Sequence, residues 1–78
     1  LTGLKIIGLD DVGVIHKITN LISGEMKFNI AAMTIEAAEG IFKGNIKIFV
    51  HDKDELDELV KRLVELPGIE RVDRYDTE

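Results

Sequence analysis

Along the chain, apolar side chains recur at two-residue spacing, then at three- and four-residue spacing. That cycle repeats, and the chain closes on two-residue spacing again, all within 78 residues. Few folds accept this order. Leu4, Ile6 and Gly8 alternate with Lys5, Ile7 and Leu9, which predicts a first strand of about six residues. Beyond Asp10-Asp11-Val12-Gly13, helical spacing takes over. Val14, Ile15, Ile18, Leu21 and Ile22 form one face of a helix, and His16, Lys17, Thr19 and Asn20 form the other. Gly24 follows the last periodic residues, where a left-handed C-cap is expected.

From Phe28 to Ala37 both faces carry apolar or small side chains, the pattern of a strand partly covered on both sides. Glu39-Gly40 predicts a tight turn into a strand with Phe42, Gly44, Ile46, Ile48 and Val50 inside and Lys43, Asn45 and Lys47 facing water. Asp52 opens a second helix and, with Glu55 three residues on, resembles a capping box. Its buried stripe is Leu56, Leu59, Val60 and Leu63, and Asp57–Lys61 and Glu58–Arg62 are spaced for i,i+4 ion pairs. Pro67-Gly68 stops it, and Ile69 to Tyr75 reads as a last strand with Val72 inward.

Two split β-α-β units of this length close as an α+β, ferredoxin-like βαββαβ sandwich: a four-stranded antiparallel sheet with both helices on one face. Residues 1–78 then form a single domain, with no linker or repeat. The first and third strands are central and the second and fourth are edges. Glu70, Arg71, Asp73 and Arg74 blunt the fourth strand, a usual protection against unwanted pairing. The second carries Ile30, Ala31, Ala32, Met33 and Ile35 and is almost uncharged. An edge of this kind calls for a cover, and a homodimer along it is the simplest; a packing partner elsewhere in a parent chain is the alternative.

Composition narrows the function. Ten Lys plus Arg against fifteen Asp plus Glu leaves a net charge of −5, a poor basis for binding nucleic acid or an anionic membrane. No apolar run approaches the ~18 residues of a membrane span, and we expect no membrane partner and a cytoplasmic location. The absence of cysteine excludes disulfides and Cys-bearing zinc sites. His16 and His51 stand in no ligand or nucleophile–base spacing, so neither a catalytic nor a metal site is expected, and no cofactor. An RNA-recognition domain of this topology stacks bases on aromatics of its central strands. Here those outer positions read Lys5, Ile7, Lys43, Asn45 and Lys47, with Phe49 the only aromatic. The chain begins at Leu1 rather than Met, which suggests a piece, C-terminal or otherwise, of a larger protein.

What remains is the turn Gly8 to Ile15. A strand ends, two acids follow, and a glycine permits close approach just as a helix opens. By itself this reads more readily as a plain strand-to-helix turn with Asp11 as N-cap. The run Gly8-Leu9-Asp10-Asp11-Val12-Gly13-Val14-Ile15-His16-Lys17-Ile18-Thr19, however, resembles the D-x-x-G-x-L/I-x-x-I/V-T/S signature of the ACT domain. Phe28-Asn29-Ile30 is similar to the N-I/V that opens the second strand of that family. The close from Leu66 to Arg74 resembles the L-P-G-V-x-x-V-x-R of one subgroup, the C-terminal ACT domains of RelA/SpoT enzymes. Those are GTP pyrophosphokinases that make and hydrolyse guanosine tetra- and pentaphosphate in the stringent response.

The resemblance implies a regulatory module rather than a catalyst, paired with a second copy and binding an amino acid at their interface. Asp10, Asp11, Val12, Gly13 and Val14 of one copy would line one wall, and Asn29 and Ile30 of the other copy the second wall. Amides near Gly13 would hold the ligand carboxylate. The position of Asp11 is often basic or polar in the subgroup, and a second carboxylate there disfavours an anion. The partners implied are a second copy, an amino acid, the catalytic domains of the parent chain and, through the parent, ribosome and tRNA. Two other readings stand beside it. One is a purely structural module that docks on the parent chain, ribosome or tRNA. The other is the ACT domain of an enzyme of amino-acid metabolism.

Overall fold

The computed structural model describes residues 1–76. The elements run β1 (Thr2–Leu9), α1 (Val12–Thr19), β2 (Asn29–Ala38), β3 (Ile41–Phe49), α2 (Lys53–Glu65) and β4 (Ile69–Asp76). A π-helical segment, Asn20–Glu25, continues α1. The sheet order is β2-β3-β1-β4 with every neighbouring pair antiparallel, so the ferredoxin-like sandwich is the fold of this chain. One sheet face is covered by the helices. Leu4 and Ile6 of β1 and Phe42, Ile46 and Ile48 of β3 are buried there against Ile18, Leu21, Ile22, Leu56, Leu59 and Leu63. The alternation in β3 is complete from Ile41 to Phe49, exposed then buried at each step.

Local chemistry explains most boundaries. Glu39 (φ 55°) and Gly40 (φ 79°) both take left-handed backbone, the pair that a two-residue hairpin turn demands. Asp52 caps α2 through its carboxylate, which accepts from the Asp54 amide at 2.8 Å. That bond reaches the second helical residue; the capping box with Glu55 is replaced by a simple Asx cap. Gly68 (φ 90°) ends the α2–β4 turn, where a Cβ would stand 2.8 Å from a methyl of Val14.

Three further expectations are corrected. Gly24 is not a left-handed cap; it lies inside the π-helical segment, and Lys27 (φ 59°) makes the reversal instead. Thr19 and Ser23 hydroxyls bond back to helix carbonyls, His16 at 3.0 Å and Thr19 at 2.8 Å respectively, which loosens the α-helical ladder there. The wider turn buries the consecutive residues Leu21 and Ile22 together. Of the two helix ion pairs, Glu58–Arg62 forms at 3.0 Å, but Asp57 turns to Arg74 of β4 at 2.7 Å rather than to Lys61. Finally, β2 is not covered on both sides: apart from half-buried Ile30 and Ile35 it is exposed along its length.

Candidate functional site

The first loop is built by capping. Asp11 sits in extended backbone (φ −139°, ψ 128°) and its Oδ1 accepts from the Gly13 amide at 2.8 Å. Its carbonyl accepts from the Val14 and Ile15 amides at 3.0 and 3.2 Å. Three of the four amides that open α1 are therefore satisfied by Asp11 itself; that of Val12 has no partner among the described residues. The loop is also tied to its neighbours. Leu9 N–H donates to the Gly68 carbonyl and Asp10 N–H to the Gly40 carbonyl, each at 2.9 Å, so three loops form one rigid end of the molecule.

Asp10, Asp11, Val12 and Gly13 are exposed, while Val14 is half-buried against the core. Gly13 has no steric reason to be glycine. Its backbone is not left-handed, and a Cβ there would meet only Asp11 Oδ1 at 3.4 Å. The strain that glycine usually relieves at a loop of this kind is absent.

Asn29 and Ile30 stand at the other end. Asn29 pairs with Phe49 and Ile30 with Ile48, whereas the first loop follows the pair Leu9–Ile41. Eight steps along β3 separate the two, roughly 26 Å at the rise of a strand. One chain therefore does not bring the two walls together. A two-fold axis through the β2 edge would reverse that strand, and so would set the Asn29 end of one copy beside the loop end of the next.

The β2 edge has the expected character. Ala31, Ala32, Met33 and Thr34 are exposed, Met33 to 44%, and Ile30 and Ile35 are half-buried. The register shifts between Ile30 and Ala32, leaving Ala31 as a bulge. Glu36 is the one charged residue of the strand.

The sheet face away from the helices carries Lys5, Lys43, Lys47 and Arg71 with Glu36 and Asp73 between them. A recess of about 240 Å³ opens there, lined by Lys5, Thr34, Glu36, Lys43, Asn45 and Asp73 among others. The sequence reading missed an aromatic on this face. Tyr75 of β4 lies over Gly3 of β1, so closely that a Cβ at Gly3 would collide with the ring. Its hydroxyl donates to Asn45 Oδ1 at 3.3 Å. The signal is a glycine opposite an aromatic, Gly3↔Tyr75, but only the register reveals it. His16 and His51 are exposed, and the described residues contain no group of three or more His, Asp or Glu placed to hold a metal ion. No helix among them is long and apolar enough to cross a membrane.

The described residues form a split-βαβ sandwich whose first loop is capped by Asp11 and whose β2 edge is nearly uncharged. The ACT domain family model matches residues 1–74, and the chain belongs to the ACT domain family. The ACT domain from GTP pyrophosphokinase of Chlorobium tepidum is similar in crystal form, at 35% identity over 95% of each chain and a TM-score of 0.85. Its solution structure is similar at 34% identity, over 99% of this chain and 86% of that one, with a TM-score of 0.82. The acetolactate synthase small subunit from Thermotoga maritima shares 22% identity over 96% of this chain and 47% of its own, with a TM-score of 0.79. At that identity it shares the fold alone. No curated protein sequence matches the chain.

Proposed function

We propose that this chain is the regulatory ACT domain of a RelA/SpoT-type GTP pyrophosphokinase, a cytoplasmic synthetase and hydrolase of guanosine tetra- and pentaphosphate. In this reading it biases the catalytic part of a larger chain between synthesis and hydrolysis and performs no chemistry itself. The observation that carries the reading is the 35% identity, over 95% of both chains, to the ACT domain from a GTP pyrophosphokinase. The exposed, nearly uncharged β2 edge supports pairing of two copies through Ile30, Ala31, Ala32, Met33 and Ile35. An amino acid would then lie between Asp10–Val14 of one copy and Asn29–Ile30 of the other. Gly13 supports that role: nothing in its own chain needs the space that its missing side chain leaves.

A second reading has its own observation. Because the Asp11 carboxylate already occupies the Gly13 amide, a ligand carboxylate must displace it or rely on the Val12 amide. That favours a docking module without a small ligand, which acts by contact with the parent chain, ribosome or tRNA. A thermal-shift screen over the twenty amino acids separates the two. A ligand bound only by the native state at 100 times its Kd adds about 2.7 kcal/mol and raises Tm. A rise with one amino acid, lost in Gly13→Val, supports the first reading; no rise with any of them supports the second. In the parent enzyme, Gly13→Val should leave both activities intact while their ratio stops responding to the ligand.

A further inference from the structure

Leu1, Met33, Phe49 and Val64 are exposed singly, but two other exposed large hydrophobic side chains are gathered. Leu9 (54% exposed) and Ile41 (40%) are cross-strand neighbours on the outer sheet face, and Ala38 flanks Ile41 from β2. Val12, three residues beyond Leu9, is 84% exposed. Single exposed apolar residues are ordinary, whereas a contiguous group marks a surface meant to be covered. A shallow groove of about 350 Å³ runs beside it, lined by Ala38, Ile41 and Lys43 with Glu36 and Glu39.

Three properties say what covers it. The surface is rigid, because the Leu9–Gly68 and Asp10–Gly40 backbone bonds lock the three loops that form it, so a partner finds it already ordered. Its border is acidic: Asp10 and Asp11 follow Leu9, and Glu39 precedes the Gly40 that Asp10 holds. The cations of the next row do not balance it, since Lys43 faces Glu36 across the strands and Arg71 is paired with Asp73 at 2.7 Å. Leu9 and Ile41 also belong to the two central strands, so pairing of copies through the β2 edge leaves them open. A second copy is a poor occupant, because it would bring an equally acidic border against this one in a chain of net charge −5.

We propose that this end of the outer sheet face docks an amphipathic polypeptide segment bearing lysine or arginine. Its apolar side chains seat over Leu9 and Ile41, and its cations meet Asp10, Asp11 and Glu39. The inference goes beyond the amino-acid reading and does not depend on it; because both use Asp10 and Asp11, the segment and an amino acid would exclude each other there. The fit is one of shape and charge together. The apolar group supplies affinity, and the acidic border selects against acidic segments and nucleic acid.

The test is a titration of the isotopically labelled chain, followed by amide chemical shifts, with two probe peptides of equal length. One alternates Leu with Lys and the other Leu with Glu. The expected result is that the Leu–Lys peptide shifts the amides of Leu9 to Val12 and of Ile41, and binds at least about tenfold more tightly than the Leu–Glu peptide. Leu9→Ser with Ile41→Ser should weaken it about tenfold or more. Asp10→Asn with Glu39→Gln, at exposed positions that leave the core untouched, should weaken it several-fold and flatten its salt dependence. Equal affinity for the two peptides, no binding at millimolar concentration, or shifts confined to the β2 edge would overturn the proposal. So would an RNA oligonucleotide that binds the same amides more tightly than the basic peptide.

Discussion

The two edges of this sheet solve the same problem in opposite ways. β4 presents Glu70, Arg71, Asp73 and Arg74, engages Asp57 of α2 through Arg74 and closes Arg71 on Asp73. An incoming strand would have to strip water from those charges, which is a cost with no compensating pair. β2 presents one charge in ten residues and a bulge at Ala31. One edge is guarded by charge and the other is not, so an assembly through this sheet would have a defined direction. Symmetry adds a constraint. Pairing through a single accepting edge closes as a two-fold dimer and stops there, whereas two accepting edges would propagate.

The contrast is open to attack at several depths. The deepest is the shared support, since Phe42 is 1% exposed beneath both halves of the sheet. Phe42→Ala should cost roughly 3–5 kcal/mol by chemical denaturation, with the amides of β2 and β4 losing hydrogen-exchange protection together. Protection retained in β4 alone would show that the edges are separate units. Next is Gly8→Ala, where the new Cβ would stand 2.6 Å from the Gly68 carbonyl and 2.9 Å from the Phe42 ring. Backbone cannot yield there as a side chain can, so we expect a loss at the upper end of ~1–3 kcal/mol, with β4 and the α2–β4 turn loosened first.

At the accepting edge, Met33→Lys places a charge where an edge partner would exclude water. Sedimentation equilibrium should show a dimer dissociation constant raised at least tenfold, about 1.4 kcal/mol, with monomer stability within roughly 0.5 kcal/mol of the parent. A wild-type chain that sediments as a monomer at high micromolar concentration would remove the premise. Smaller still is Gly13→Ala. The residue is helical, exposed and unstrained, so stability should rise by about 0.4–1 kcal/mol in thermal melts, the opposite sign from a strained loop glycine. The smallest effect belongs to the refusing edge. Asp57→Asn removes an ion pair whose side chains are 53% and 43% exposed, worth ~0.2–1 kcal/mol and erased by salt.

Much of this was legible in the chain because it is local. The cap at Asp11, the Glu39-Gly40 turn and the alternation of β3 depend on residues a few positions apart, and each stands as the sequence implies; Asp52 opens α2 as expected, though through the Asp54 amide rather than a capping box. The edge assignment also followed, since the order of elements admits one simple closure and the charges of β4 contrast with the apolar run of β2. What failed is instructive for the same reason. Gly24 looked like a helix stop, but the hydroxyls of Thr19 and Ser23 compete for carbonyls and the helix widens instead. Asp57 looked paired with Lys61, yet Arg74 arrives from 17 residues away and holds it.

The sequence by itself determined the elements, their order, the open edge and the identity of the loop, because periodicity, caps and turns are properties of neighbours in the chain. Only the tertiary structure decided how those parts meet. It set the seat of Tyr75 on Gly3, the bonds that tie Leu9 to Gly68 and Asp10 to Gly40, and the apolar group of Leu9 and Ile41. It also put the first loop and Asn29 at opposite ends of one sheet. Those are consequences of register and long-range packing, and no spacing along the chain encodes them before the strands have paired.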